Sequence, residues 1–250
     1  MTLCGSFQAL IFIAGAPDMF RRRLRISLQG AVYSMKISTK KLVTIGMLCA
    51  IAFVVVAFIR IPVVMFLKYE PKDVIITIGG FMLGPVASFA ISVVVSLLEM
   101  VTISDTGIIG CVMNLISSCG FCCTAAYIYK KRHSMSGAVI GLIAGGVIMT
   151  VLMLLWNYLI TPIYMGYPRE AVAAMLPTMF LPFNLLKSAL NAGITLLIYK
   201  PVVGALRRAR LIETSSASAG PRRFSVGMLL IALLLVATGV LMALVLSGVI

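Results

Sequence analysis

From Leu42 to the C-terminal end, one apolar stretch follows another, and that succession constrains the fold more than any other feature. In hydrocarbon a backbone N–H or C=O has no water to bond, so a run of about 20 apolar residues is stable there only as a helix. Such runs cover residues 42–59, 86–101, 108–129, 137–160 and 182–206, and a last one extends from Val226 to Ile250. A shorter run, Val74 to Leu83, is cut off by Gly84–Pro85. It is too short to cross alone, so it either tilts or buries its ends in protein. Composition agrees, with 61% hydrophobic and 11% charged residues and a mean hydropathy of +1.12. Soluble domains hold roughly 45–50% apolar and about 25% charged residues. The expected class is an all-α, polytopic membrane protein with almost nothing left for a soluble domain.

The organisation expected along the chain has four parts. Residues 1–35 form an N-terminal extension, disordered or a start-site artefact, since the apolar stretch Ala9–Ala16 precedes its basic cluster instead of following it as in a secretory signal. Residues 36–210 form a six-helix membrane domain, 211–224 a polar linker, and 225–250 an additional transmembrane helix. Long connections are expected at 61–72 and, from Thr161–Pro162 onward, at 161–180.

The net charge of +14 is the one compositional feature that suggests nucleic acid. Its layout argues against that partner. The basic residues sit in short runs between apolar stretches, at Lys40–Lys41, Lys130–Lys131–Arg132 and Arg207–Arg208 with Arg210. This is how cytoplasmic loops orient helices in a lipid bilayer. If the first helix starts in the cytoplasm, every dense run falls inside. The outward connections then hold Glu70, Asp105, Arg169 and Glu170, nearly balanced in charge. The N-terminus is thus expected in the cytoplasm, and the C-terminus outside if the seventh span inserts.

Little here suggests catalysis. No GxxxxGK followed by Ser or Thr occurs, and neither HExxH nor GxSxG. His133, the sole histidine, lies in a basic loop. The six cysteines fall mostly in apolar spans, and Cys119 with Cys122 has no second pair at zinc spacing, so no metal is expected. An intramembrane enzyme would want acids or histidines clustered at membrane depth, and a stand-alone carrier would often show internal repeats.

The informative polar residues stand near the outward helix ends. Asn157 follows Trp156, while Asn184, Lys187 and Asn191 share one face of the sixth span. Polar groups at that depth face a cavity or a partner, although Asn also simply bonds helix to helix; the residues alone leave both open. With Trp156, Tyr158, Tyr164 and Phe183 nearby they suit a planar ligand with polar edges. Glu99 and Asp105 either orient a loop or bind ligand, and a structural role is favoured for Glu99. Gly46 and Ala50, four apart, let another helix approach closely.

Three segments carry a resemblance. They are Leu67-Lys-Tyr-Glu-Pro-Lys-Asp73 leading to Gly84–Pro85, Glu99-Met-Val-Thr-Ile-Ser-Asp-Thr-Gly107, and Trp156-Asn-Tyr-Leu-Ile-Thr-Pro-Ile-Tyr-Met-Gly166 continuing to Leu181-Pro-Phe-Asn-Leu-Leu-Lys187. In this order they resemble the riboflavin-specific S-components of energy-coupling factor (ECF) vitamin transporters. The resemblance implies a six-helix subunit that captures riboflavin from outside and has no catalysis or cofactor of its own. It implies that Asn157, Asn184 and Lys187 hydrogen-bond the flavin, with Trp156, Tyr164 and Asn191 in the same site. The loop around Tyr69, Glu70 and Asp73 would close over it. Gly46 and Ala50 would contact the transmembrane coupling subunit (EcfT), driven by two ECF ATPase subunits. An S-component for a different vitamin, or a stand-alone membrane carrier, is the alternative.

Overall fold

The computed structural model describes residues 39–64, 67–104, 106–208, 232–234, 236–240 and 244. The extension at 1–35, the linker at 211–224, Asp105 and most of the 225–250 span lie outside the described residues.

Helix α1 runs Thr39–Phe58 and stops short of Arg60-Ile61-Pro62, where the residue before proline is driven into extended backbone. The chain continues in a hairpin of β1 (Ile61–Val64) and β2 (Leu67–Tyr69), paired antiparallel with Ile61 opposite Tyr69. Helix α2 spans Lys72–Leu83 and α3 Pro85–Thr102. Gly84 at φ 97° takes the break between them, and Pro85 opens α3 where its missing N–H costs nothing. Helix α4 (Gly107–Ser118), a π turn (Cys119–Cys123) and α5 (Thr124–Arg132) follow as one rod. Ser134 caps α6 (Met135–Met165) by accepting from the Gly137 N–H at 3.0 Å. Helix α7 (Arg169–Met175), a second π turn (Leu176–Phe180) and α8 (Leu181–Arg208) complete the bundle.

Five of these rods are long and apolar enough to cross a membrane: 39–58, 85–102, 107–132, 135–165 and 169–205. The short α2 resolves the sequence dilemma by burial. Its 12 residues reach about 18 Å. Nine of them are buried, so its ends meet protein instead of lipid. Close crossings make room for it: a Cβ on Gly80 would stand 2.8 Å from that of Ala126. Opposite the hairpin, Phe81, Tyr129 and Tyr199 close the bundle, with the two phenols bonded at 2.8 Å.

Two boundaries differ from the sequence expectation. The fifth span does not end at Thr161–Pro162, because α6 continues to Met165 and stops at Gly166 in left-handed backbone. A proline near a helix end frees one carbonyl, which a helix tolerates where neighbours or water can meet it. The expected loop at 161–180 is also largely helical, since α7 and the π turn join α8. Pro177 and Pro182 each remove a backbone donor, and the helix widens to a π turn in this stretch. The hairpin is a further departure from an otherwise all-α chain. In the described C-terminal residues, Ala232 joins the main buried cluster and Val236 packs near the residues under the hairpin.

Candidate functional site

Beneath the hairpin lies a cavity of about 740 Å³, its open mouth included. Each nearby element contributes to its wall. Arg60, Leu67, Lys68 and Glu70 come from the hairpin and its flanks, Met113, Asn114 and Ser117 from α4, Met153 and Asn157 from α6, and Phe183, Asn184 and Lys187 from α8. The wall mixes apolar side chains with a few polar groups, as small-molecule sites do.

The two asparagines are held by their own helices. Asn157 Nδ2 donates to the Met153 carbonyl at 2.7 Å, and its Oδ1 accepts from Thr161 at 3.0 Å. Asn184 Nδ2 donates to the Phe180 carbonyl at 2.7 Å, at the end of the π turn. Lys187 stands between Ser117 Oγ at 3.1 Å and Asp73 Oδ2 at 3.3 Å.

Around the cavity the charges form two buried clusters, one about Glu70 and Lys72 and one about Asp73. Glu70 accepts from Arg60 Nε at 2.9 Å and from Lys72 Nζ at 2.8 Å. Lys72, 1% exposed, also donates to Glu99 Oε1 at 2.6 Å, and Asn114 Nδ2 donates to Glu99 Oε2 at 2.9 Å. Arg60 Nη1 reaches the Ile103 carbonyl at 2.7 Å. Asp73 is fully buried and accepts from Ser118 Oγ at 2.5 Å and Asn191 Nδ2 at 3.2 Å. Asn191 Oδ1 in turn accepts from the Tyr69 hydroxyl at 3.0 Å. Burial alone would raise the Glu70 carboxyl, but Lys72, with Lys187 and Arg60 behind it, holds it below the ordinary carboxylate range. Burial, aided by the charge of Asp73, pushes the Tyr69 phenol upward and keeps it neutral.

The sequence-nominated residues divide into four places. Glu70, Asn157, Asn184 and Lys187 line the cavity. Trp156 and Tyr164 line a smaller, mostly apolar cavity of about 330 Å³ that shares Thr106, Met113 and Asn157 with the first. Tyr69, Asp73 and Asn191 belong to neither wall; they form a buried polar support behind Lys187. Gly46 and Ala50 stand apart from the site on an exposed face of α1, where a Cβ on Gly46 would meet nothing within 4 Å. Glu99, for which a structural role is expected, pairs with Lys72. Sequence reasoning missed Arg60 and Lys72. Their sole signal was charge beside Pro62 and Pro71, which reads equally well as a solvated loop. Among the described residues no group of His, Cys, Asp and Glu could hold a metal ion.

Comparison with known proteins bears on the same region. The family model of the ECF transporter substrate-specific component matches residues 40–199. The chain is 31% identical over 179 residues to the riboflavin transporter RibU of Staphylococcus aureus (strain TCH60), covering 68% of this chain and 93% of that one. It is 31% identical over 188 residues to the riboflavin transporter FmnP of Bacillus subtilis (strain 168), covering 69% and 98%. A solved structure of the S component of a bacterial ECF transporter matches with a TM-score of 0.57 at 31% identity, covering 68% of this chain and 98% of that one.

Proposed function

Because this chain belongs to the substrate-specific components of ECF transporters, we propose that it captures riboflavin in the cavity beneath the hairpin and hands it to an ATP-driven coupling module. The observation that carries this is the cavity wall itself. Asn157, Asn184, Asn114 and Lys187 offer hydrogen bonds to the edges of a planar heterocycle, while Met113, Met153 and Phe183 offer apolar faces. The riboflavin transporters to which the chain is similar supply the ligand.

The hairpin end faces outward in this reading, and the N-terminus lies in the cytoplasm. Lys40–Lys41 and Lys130–Lys131–Arg132 stand at helix ends remote from the hairpin, as the positive-inside rule requires. The module comprises a transmembrane coupling subunit and two ATPases. Its docking face is the exposed stripe of α1 with Gly46 and Ala50. The chain performs no chemistry on its ligand: binding and release are the whole of its task.

Trp156, the single tryptophan, shares a cavity wall with Asn157, so bound flavin should quench it. Titrating the purified protein with riboflavin should give saturable quenching that weakens in Lys187→Ala and Asn184→Ala. No quenching in folded protein would reject riboflavin and point to a different vitamin.

A further inference from the structure

The Lys72–Glu70 ion pair stands at the foot of the hairpin, and its cation lies outside the candidate ligand site. Lys72 is absent from both cavity walls. It stands at the start of α2, 1% exposed, between Glu70 behind β2 and Glu99 on α3. Glu70 receives Arg60 as well, and Arg60 lies just before β1. A single carboxylate therefore gathers both outer ends of the hairpin. Two bonds tie that carboxylate to the bundle: Lys72 to Glu99, and Arg60 to the Ile103 carbonyl at the end of α3.

The arrangement is poorly explained as a source of stability, since a buried ion pair often does no better than apolar side chains of the same volume. It is well suited to a contact that breaks and reforms. When the hairpin lifts, Glu70 leaves with Arg60, so that pair stays neutral. Lys72 stays with Glu99, whose other oxygen keeps Asn114. Neither half strands a buried charge. Opening parts the Lys72–Glu70, Arg60–Ile103 and Tyr69–Asn191 bonds and ends the burial of Val63 and Leu67, yet it orphans no charge, whereas a lone ion pair would leave one on each side.

Resting on the reading of the cavity as a ligand site, we propose that Lys72 is a positioning residue that sets how long the hairpin stays shut, and hence the rate at which ligand escapes.

The test is the full chain carrying Lys72→Met with Glu99→Gln. Removing one cation and one anion together leaves the Arg60–Glu70 and Lys187–Asp73 pairs in place, so the charge balance of the site is kept. Two quantities are read: riboflavin dissociation from the recovery of Trp156 fluorescence, and deuterium exchange of amides 61–69. Dissociation should be faster by about 10- to 100-fold, the worth of one charge-assisted hydrogen bond, with no matching slowing of association. Exchange in the hairpin should rise while amides within α8 keep their protection. Wild-type dissociation together with wild-type hairpin exchange would overturn the proposal. If the wild-type protein binds no flavin, the ligand reading fails, and hairpin exchange alone decides the role of Lys72. Glu70→Gln weakens the same bond from the hairpin side and must raise hairpin exchange too, which keeps the proposal falsifiable should the double variant fold poorly.

Discussion

Lys187 has two duties, one toward the cavity and one toward Asp73, and the two can be separated. Lys187→Met should weaken flavin binding by about 10- to 100-fold, against roughly 2- to 10-fold for Asn184→Ala, because bonds from a charged donor are worth more than neutral ones. It should also destabilise the fold, by about 3–5 kcal/mol, since it strips a cation from a fully buried carboxylate. Adding Asp73→Asn should recover most of that stability without recovering affinity. Thermal melts and titrations on the same samples distinguish the two effects. Glu70 gives a pH signature. Its carboxyl is held below the ordinary value, so its contribution to closure is complete above its unfolded-state pKa of about 4.3 and is lost as pH falls through the lower folded value. Flavin retention should therefore stay flat through the neutral range and fail only in acid. A decline centred on neutrality would implicate some other group.

Helix α1 is the element whose two faces divide most cleanly. Leu48, Cys49, Ala52 and Val56 face the core, while Gly46 and Ala50 look outward, as do the half-exposed Val43 and Val54. Gly46→Leu has open space to enter, so it should leave riboflavin affinity unchanged and abolish uptake in cells that contain the coupling module. Wild-type uptake would mean that this face is not a docking surface. The helices were legible in the sequence because length and hydropathy are local properties, and each long rod carries enough apolar residues to declare itself. The hairpin was not legible. Ile61-Pro-Val-Val64 reads as the start of a connecting segment, and only its antiparallel partner at Leu67–Tyr69 makes it a strand. The continuation of α6 through Pro162, and of α8 back to Arg169, was hidden for a related reason: proline marks a break locally, but a π turn or a helix end absorbs it.

Across the whole molecule, the candidate site was half visible. Asn157, Asn184 and Lys187 stood out because polar groups are rare at that depth. Lys72 did not, because Lys68-Tyr-Glu-Pro-Lys-Asp73 looks like an ordinary charged loop until Glu99, 27 positions later, is folded against it. Burial of a charge is a property of the assembled bundle, and no window of the chain contains it. The same separation has a consequence for how the protein is made. Asp73 is matched with Asn191 across 118 positions, and with Lys187 on the same helix. At about 5–20 residues per second, the ribosome needs roughly 6–24 s to reach the second member of the first pair. Until then α2 carries an acid whose partners on α8 do not exist, and the insertion machinery, not the bundle, must shelter it. A nascent chain halted before α8 would thus be a natural client for membrane quality control, recognisable by one carboxylate still without its cation.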